Sequence, residues 1–148
     1  MRVVIALGSN LGDRTATLHA AVESLKKFIE VDRVSTIIET DPVGGVEQPD
    51  YLNAVLTGEC ELTPEQLMQK LLDIEAEAGR KRIVRWGART LDLDLISADN
   101  LMMESEFLTL PHPRAHERAF VLQPWFEIDP DATLPGRAPI RDLLSSLE

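Results

Sequence analysis

Two aspartates in the second half of the chain have the residue type and spacing of a metal site. The run Leu91-Asp92-Leu93-Asp94-Leu95 alternates strictly, which is typical of a half-buried strand whose aspartates share one face. Cα atoms two residues apart on a strand lie about 6.5–7 Å from each other. The two carboxylates could therefore flank two divalent cations about 3.5–4 Å apart, the spacing used in two-metal phosphoryl transfer.

A group of cations precedes these aspartates, with one tryptophan among them. The group comprises Arg80, Lys81, Arg82, Arg85 and Arg89, and the tryptophan is Trp86. Cations beside metal-binding carboxylates suit a polyphosphate ligand, because such a ligand is recognised both by metals and by positive side chains. Alternatively, the aspartates could belong to a solvated strand face and the arginines to surface salt bridges, each contributing about 0–1 kcal/mol.

A second pattern involves Tyr51 and Asn53, which would share one face of a strand. An aromatic ring beside an amide suits a planar heterocycle, through stacking and paired hydrogen bonds. Taken alone, this stretch favours the alternative that Tyr51 is an ordinary strand aromatic and Asn53 a loop-end residue.

Length and composition indicate one soluble globular domain spanning residues 1–148, with 44% hydrophobic and 27% charged residues. The formal net charge of −10 argues against nucleic acid or an anionic membrane as the main partner. The single cysteine, Cys60, permits no intrachain disulfide, and the apolar run Val3–Leu7 is too short for a signal peptide or a membrane span. We therefore expect a cytoplasmic protein, and a monomer because no long exposed apolar helix requires a partner.

The elements that must position these residues follow the order β-α-β-β-α-β. Periodicity and turn signals predict strands over 2–7, 31–40, 51–62 and 91–95, and helices over 14–29 and 63–79. The second helix has a clear start, with Thr63 as N-cap, Pro64 at the first helical position and Gln66 completing a capping box. This order predicts an α+β fold of the ferredoxin-like class, with two helices packed on one face of an antiparallel sheet.

The connecting segments carry further signals. Residues 8–13 predict a structural turn, because they lack both the Lys-Ser/Thr of a P-loop and the Gly-x-Gly-x-x-Gly spacing. The loop at 41–50 is long enough to be functional.

The C-terminal third is predicted to be less regular, with a minor strand within 100–110 and short helical segments at 114–117 and 140–147. Pro124 predicts that the apolar segment 120–128 is not one uninterrupted helix, since proline lacks a backbone N–H and clashes with the preceding turn.

Five motifs along the chain form one recognisable pattern. They are Gly8-Ser9-Asn10-Leu11-Gly12, Thr40 with Pro42 and Gly44, Gln48-Pro49-Asp50-Tyr51-Leu52-Asn53-Ala54, Arg85-Trp86-Gly87-Ala88-Arg89-Thr90-Leu91-Asp92-Leu93-Asp94, and Pro111-His112 with Arg118 and Phe120. In these motifs the chain resembles the 6-hydroxymethyl-7,8-dihydropterin pyrophosphokinase family of folate biosynthesis, and the resemblance covers most of the chain in the expected order. The long motif that ends in Asp94 is far more specific than an isolated Asp-x-Asp.

The resemblance implies transfer of the β,γ-pyrophosphoryl group of ATP to the pterin hydroxymethyl oxygen, with release of AMP. It implies that Asp92 and Asp94 hold two Mg²⁺ ions that bridge the triphosphate. The implied pterin-binding residues are Thr40, Val43, Tyr51, Asn53 and Phe120. The implied ATP-binding residues are Glu75, Leu95, Thr109, His112 and Arg118. The implied catalytic residues, on a loop that closes over the phosphates, are Arg80, Arg82, Trp86 and Arg89.

The chain departs from the family pattern at three positions. Ile38 and Pro113 each stand where many or some members have tyrosine, and Leu72 stands where some have glutamine. These differences concern packing and ATP contacts, not the expected metal residues. Three other hypotheses remain open at this point: a nucleotide-sensing or metal-sensing module without turnover, a sugar-nucleotide transferase that uses Asp-x-Asp, and a structural scaffold.

Overall fold

The computed structural model describes residues 1–41, 50–79 and 90–147. Within these ranges, the main sheet contains β1 Arg2–Ser9, β2 Ile29–Val34, β3 Ile38–Thr40, β4 Tyr51–Cys60 and β5 Asp92–Ala98. A second, two-stranded sheet pairs β6 Met103–Glu104 with β7 Thr109–Leu110. The helices are α1 Arg14–Leu25, α2 Pro64–Gly79, α3 Ala119–Ile128 and α4 Ile140–Ser146, with a 3-10 turn at Ala115–Glu117.

The main sheet has the order β2-β4-β1-β5, with β3 also paired to β4. All of these pairings are antiparallel. The predicted ferredoxin-like α+β fold is therefore confirmed. Its central strand β1 lies between the two strands that carry the candidate site residues.

The two faces of the sheet carry separate hydrophobic cores, because β1 alternates between them. Val3, Ile5 and Leu7 pack with α1 and α2 on one face. Val4 and Ala6 pack with α3 and α4 on the other. The prediction that α1 and α2 cover one face is confirmed, and α3 and α4 cover the other face.

The helix starts follow from local chemistry. Asp13 caps α1 by accepting a hydrogen bond from the Ala16 N–H at 3.1 Å. The capping box predicted for α2 is present. The Gln66 N–H donates to Thr63 Oγ1 at 3.2 Å, and the Thr63 N–H donates to Gln66 Oε1 at 3.0 Å.

Two predicted boundaries are wrong because long-range pairing overrides local periodicity. The first helix ends at Leu25, and Ile29 instead begins β2 by pairing with Cys60. The predicted strand 31–40 is split at Ser35. There the Ser35 hydroxyl accepts from the Val55 N–H at 2.9 Å, so a side chain replaces one backbone partner in the ladder.

The expected break at Pro124 is also wrong, because α3 continues through it as one helix. Pro124 is buried, as are its helix neighbours Val121 and Trp125, which pack in the core on this face of the sheet. This burial offsets the hydrogen bond that proline cannot donate. Among the described residues, no helix has the length and apolar character needed to cross a membrane.

Candidate active site

The central strand β1 brings the candidate polar residues onto one face of the sheet. Gly8 lies between Asn53 of β4 and Asp92 of β5, and Ala6 lies beside Asp94. Residues directly opposite in antiparallel strands project to the same face. The amide and both carboxylates therefore share a surface, and the smallest side chains of β1 lie between them.

A cavity of about 240 Å³ lies over this surface. Five of its lining residues lie on strands and are predicted to bind the pterin or the metal ions: Thr40, Tyr51, Asn53, Asp92 and Asp94. The remaining lining residues are Ala6, Leu7, Gly8, Asp41, Arg118 and Phe120. The structure thus brings together residues from four strands and from the start of α3.

Asn53 is almost fully buried, with 6% of its surface exposed. Its side-chain amide donates to Thr40 Oγ1 at 2.5 Å, which fixes the amide against β3. Gly8 allows this arrangement, because a Cβ at position 8 would lie 3.0 Å from Asn53 Oδ1 and 3.5 Å from Tyr51 Cδ1. The amide edge is therefore held in one orientation at the wall of the cavity.

The start of α3 supplies the opposite side of the cavity. Phe120 is the second residue of this helix, and Arg118 precedes the helix as its N-cap residue. The guanidinium carbon of Arg118 lies 5.5 Å from the centroid of the Phe120 ring, within the range of a cation–π contact. Arg118 also approaches Asp94, at 3.7 Å between Nη1 and Oδ2. One arginine therefore links the aromatic side of the cavity to its acidic side.

His112 approaches the other carboxylate oxygen of Asp94, with 3.9 Å between Nε2 and Asp94 Oδ1. Burial lowers the pKa of the His112 imidazole; Asp94 opposes this effect, whereas Arg118 and Arg114 reinforce it. Nδ1 accepts a hydrogen bond from the Arg114 N–H at 3.2 Å. The neutral ring therefore carries its proton on Nε2, the nitrogen that faces Asp94.

A second cavity has a volume of about 230 Å³. Three predicted ATP-binding residues line it, namely Leu95, Thr109 and His112. Asp94 lines both cavities. This carboxylate therefore stands at the boundary between the two spaces.

Comparison with known proteins identifies this arrangement. A family model described as 7,8-dihydro-6-hydroxymethylpterin-pyrophosphokinase (HPPK) matches residues 4–130. The chain belongs to this family.

Curated relatives agree with the family match. A relative from Haemophilus influenzae is 44% identical over 142 residues, which are 95% of this chain and 89% of the relative. One from Bacillus subtilis is 47% identical over 126 residues, which are 84% of this chain and 75% of the relative. Both are named 2-amino-4-hydroxy-6-hydroxymethyldihydropteridine pyrophosphokinase. The prediction of an ATP-dependent pyrophosphokinase of folate biosynthesis is thereby confirmed.

A solved structure shares the fold. It is described as "Crystal Structure Analysis of the HPPK-DHPS in complex with substrates" and superposes with a TM-score of 0.76 at 12% sequence identity. The match covers 98% of this chain but 43% of the longer solved chain. At this identity the likeness is evidence for the fold.

Two expected ATP residues do not line the second cavity, because Arg118 lines the first cavity and Glu75 lines neither. The Glu75 carboxylate on α2 accepts a hydrogen bond from the Leu93 N–H at 2.7 Å. Leu93 separates the two aspartates on β5. Glu75 therefore holds the peptide between Asp92 and Asp94.

Five expected site residues lie outside the described residues: Val43, Arg80, Arg82, Trp86 and Arg89. Conversely, Ala6, Gly8 and Asp41 line the first cavity, although none of them is among the expected site residues. The signal for Ala6 and Gly8 was their small size within a strand otherwise rich in valine, isoleucine and leucine. Asp41 carried no distinguishing signal.

The carboxylates have the donor chemistry of a magnesium site. Asp92 and Asp94 are half-buried and open to the same cavity. Across the described ranges, no group of three or more His, Cys, Asp or Glu side chains is arranged to hold a metal. Two carboxylates fit Mg²⁺ when phosphate oxygens and water complete its coordination, as is usual for Mg²⁺ bound with nucleotides.

Proposed function

We propose that this chain transfers the pyrophosphoryl group of ATP to the hydroxymethyl oxygen of 6-hydroxymethyl-7,8-dihydropterin, releasing AMP, with two Mg²⁺ ions held by Asp92 and Asp94. The observation that carries the proposal is the position of Asp94 between two adjoining cavities. One cavity has an amide and two aromatic rings, and the other has three of the five expected nucleotide residues. A group transferred between two substrates would cross at this carboxylate.

The first cavity has the chemistry to hold a pterin. Asn53 offers an amide edge that can pair with the pyrimidine-like edge of the ring. Tyr51 and Phe120 offer aromatic faces on which the ring can stack. Because Thr40 already fixes the Asn53 amide, little conformational freedom is lost when the pterin binds.

The second cavity has the chemistry to hold the nucleotide. Leu95 and Thr109 line its wall, and Thr109 carries a hydroxyl that can hydrogen-bond to the nucleotide. His112 presents its Nε2 proton toward the space beside Asp94, where it can donate to a phosphate or ribose oxygen. Arg118 adds a fixed positive charge at the same boundary.

Two Mg²⁺ ions at Asp92 and Asp94 would neutralise phosphoryl charge and make the substrate hydroxyl easier to deprotonate. The transfer requires the attacking oxygen and the leaving AMP oxygen to lie in line at the β-phosphorus, so the residues of this chain would act mainly by positioning them. The aspartates sit on a strand anchored on one side by β1 and on the other by the Glu75–Leu93 hydrogen bond. This rigidity favours positioning over any role for a dedicated protein base.

The remaining roles belong to residues outside the described ranges. We infer that Arg80, Arg82, Trp86 and Arg89 contact the phosphates and exclude water, and that the backbone near Val43 assists the pterin. We also infer that the protein acts in the cytoplasm as a monomer.

The decisive test measures AMP after incubation with Mg²⁺, ATP and the pterin. We expect AMP from the wild type, and a loss of at least about 100-fold in Asp92→Asn and in Asp94→Asn, because metal ions contribute several kcal/mol to the stabilisation of transition-state charge. Removing Mg²⁺ with a chelator should abolish AMP formation and adding it back should restore it. Asp99→Asn is the matched control, since Asp99 lies beyond the end of β5 and lines neither cavity.

Two results would contradict the proposal. ADP as the product would exclude pyrophosphoryl transfer, and full activity of both aspartate variants would exclude the assigned metal site. Binding of Mg-ATP in calorimetry without any AMP on addition of the pterin would instead favour a binding module.

A further inference from the structure

Arg14 joins two strands at the edge of the pterin cavity, although it does not line that cavity. It is the first residue of α1, and the Asp13 cap fixes the start of this helix. Its Nη1 donates to Glu39 Oε2 at 2.9 Å and to the Asp50 carbonyl oxygen at 2.8 Å. The Arg14 side chain is 30% exposed, so these contacts are partly shielded from water.

Both partners of Arg14 adjoin pterin-cavity residues. Glu39 is the middle residue of β3 and precedes Thr40. Asp50 immediately precedes Tyr51, which is paired with Thr40 in the β3–β4 ladder. One guanidinium nitrogen therefore holds together the two chain segments that deliver Thr40 and Tyr51.

The ladder alone gives β3 little support. β3 has three residues and pairs with β4 at three positions. Strands this short are marginal without further contacts. Because the Asn53 amide depends on Thr40 for its orientation, a shift of β3 would also move the amide edge.

We propose that Arg14 is a positioning residue for the pterin: it sets pterin affinity by clamping β3 to the start of β4 from the sheet face opposite the cavity. The inference rests on the proposed function, since it assigns the pterin to this cavity. Arg14 lines neither the first nor the second cavity. Its loss should therefore weaken pterin binding, while ATP binding and the turnover of bound substrates stay near their wild-type values.

The test compares Arg14→Gln, Arg14→Lys and Glu39→Gln in steady-state assays and in pterin binding followed by pterin fluorescence. For Arg14→Gln we expect the pterin KM and Kd to rise about tenfold, the scale of one hydrogen bond to a charged group. The KM for ATP and kcat should change by less than about twofold. Arg14→Lys should recover much of the affinity, and Glu39→Gln should raise the pterin Kd by about twofold to fivefold because the Asp50 contact remains.

Arg2→Gln is the matched control. Arg2 also bridges two acidic side chains, Asp32 at 3.1 Å and Glu59 at 3.8 Å, and it lies at the opposite end of β1 from Gly8. It should leave pterin binding unchanged. If Arg14→Gln unfolds, Glu39→Gln provides the test by itself.

The outcomes separate the two proposals. Unchanged pterin Kd in folded Arg14→Gln and Glu39→Gln, or an equal rise in Arg2→Gln, would overturn the role of Arg14 alone. A wild type that binds the pterin but makes no AMP would overturn the proposed function alone. A wild type that does not bind the pterin would overturn both.

Discussion

Small side chains shape the first cavity as much as its polar groups do. Gly8 and Ala6 are the residues of β1 that face the cavity between Asn53 and the two aspartates. Larger side chains there would fill the space where a ring and its hydroxymethyl group must lie. The polar residues are thus useful because their neighbours on β1 are small.

Gly8→Ala should weaken pterin binding. The added Cβ would lie 3.0 Å from Asn53 Oδ1, closer than most Cβ contacts, so the amide must move. We expect the pterin KM to rise about tenfold, with the ATP KM nearly unchanged, because about 1 Å of misplacement can cost up to about 100-fold. Steady-state kinetics with each substrate varied in turn will measure this.

Gly58→Ala is the informative control for that experiment. Its Cβ would lie 2.5 Å from the Glu30 carbonyl oxygen, which is a worse clash, but Gly58 lines neither cavity. This variant should lower the thermal unfolding temperature and leave the pterin KM of the folded fraction unchanged. If both variants raise the pterin KM equally, general destabilisation explains the effect of Gly8→Ala.

His112 is better suited to donate a hydrogen bond than to accept a proton. Its Nδ1 is occupied by the Arg114 N–H, and Nε2 carries the proton of the neutral ring. A general base would need a free lone pair directed at the substrate hydroxyl. The geometry therefore favours a contact with phosphate or ribose oxygens.

At the scale of elements, features with local causes were predictable and features with distant causes were not. The alternation of leucine and aspartate predicted β5, and the Thr63–Gln66 capping box predicted the start of α2. The end of α1 and the split of the second predicted strand depend on partners in β4. No local pattern in the sequence specifies those partners.

The residues of the candidate site show the same difference between local causes, which were predictable, and distant causes, which were not. The residue types at Asp92, Asp94, Tyr51 and Asn53 indicated chemistry because their spacing within single strands is regular. The contribution of Gly8 arises from being opposite Asn53 on a neighbouring strand, which depends on register. Likewise, the hydrogen bond from the Leu93 N–H to Glu75 joins α2 to β5 and depends on how these elements pack, whereas the nucleotide contact of Glu75 stays a prediction.

The position of α3 depends on a contact at its C-terminal end. The Glu127 carboxylate accepts from the Thr36 N–H at 2.9 Å and from Thr36 Oγ1 at 2.6 Å. Glu127→Ala should lower the free energy of unfolding by about 1–2 kcal/mol, the value of hydrogen bonds to a charged acceptor at an exposed position. Urea unfolding will measure the change.

Glu23→Ala is the corresponding control for Glu127. Glu23 forms an exposed ion pair with Lys26 at 3.3 Å on α1, and we expect its loss to change stability by less than about 0.5 kcal/mol. Equal effects of the two substitutions would show that the Thr36 contact does not anchor α3.

At the scale of the whole molecule, β1 contributes side chains to both hydrophobic cores and so couples their unfolding. Its side chains alternate between the α1–α2 face and the α3–α4 face, so neither core can lose its strand without disturbing the other. The candidate site lies on one of these faces, but its carboxylates are carried by a strand whose leucines are buried in the other. Packing on the α1–α2 face of the sheet therefore supports the geometry of the candidate site on the α3–α4 face.

Leu67→Ala tests this coupling across the sheet. Leu67 is fully buried on α2, whereas Trp125 is buried on α3, across the sheet. In a Trp86→Phe background, Trp125 is the single tryptophan of the sequence and reports on its own face. Because Leu67→Ala creates a cavity, we expect the free energy of unfolding to fall by about 2–5 kcal/mol, with the Trp125 fluorescence and far-UV circular dichroism transitions shifting together.

Leu72→Ala is the control. Leu72 lies on the exposed side of α2, so its substitution should change the free energy of unfolding by less than about 0.5 kcal/mol. If Leu67→Ala shifts the circular dichroism transition while the Trp125 transition keeps its wild-type midpoint, the two faces unfold independently, and packing on the α1–α2 face does not support the site.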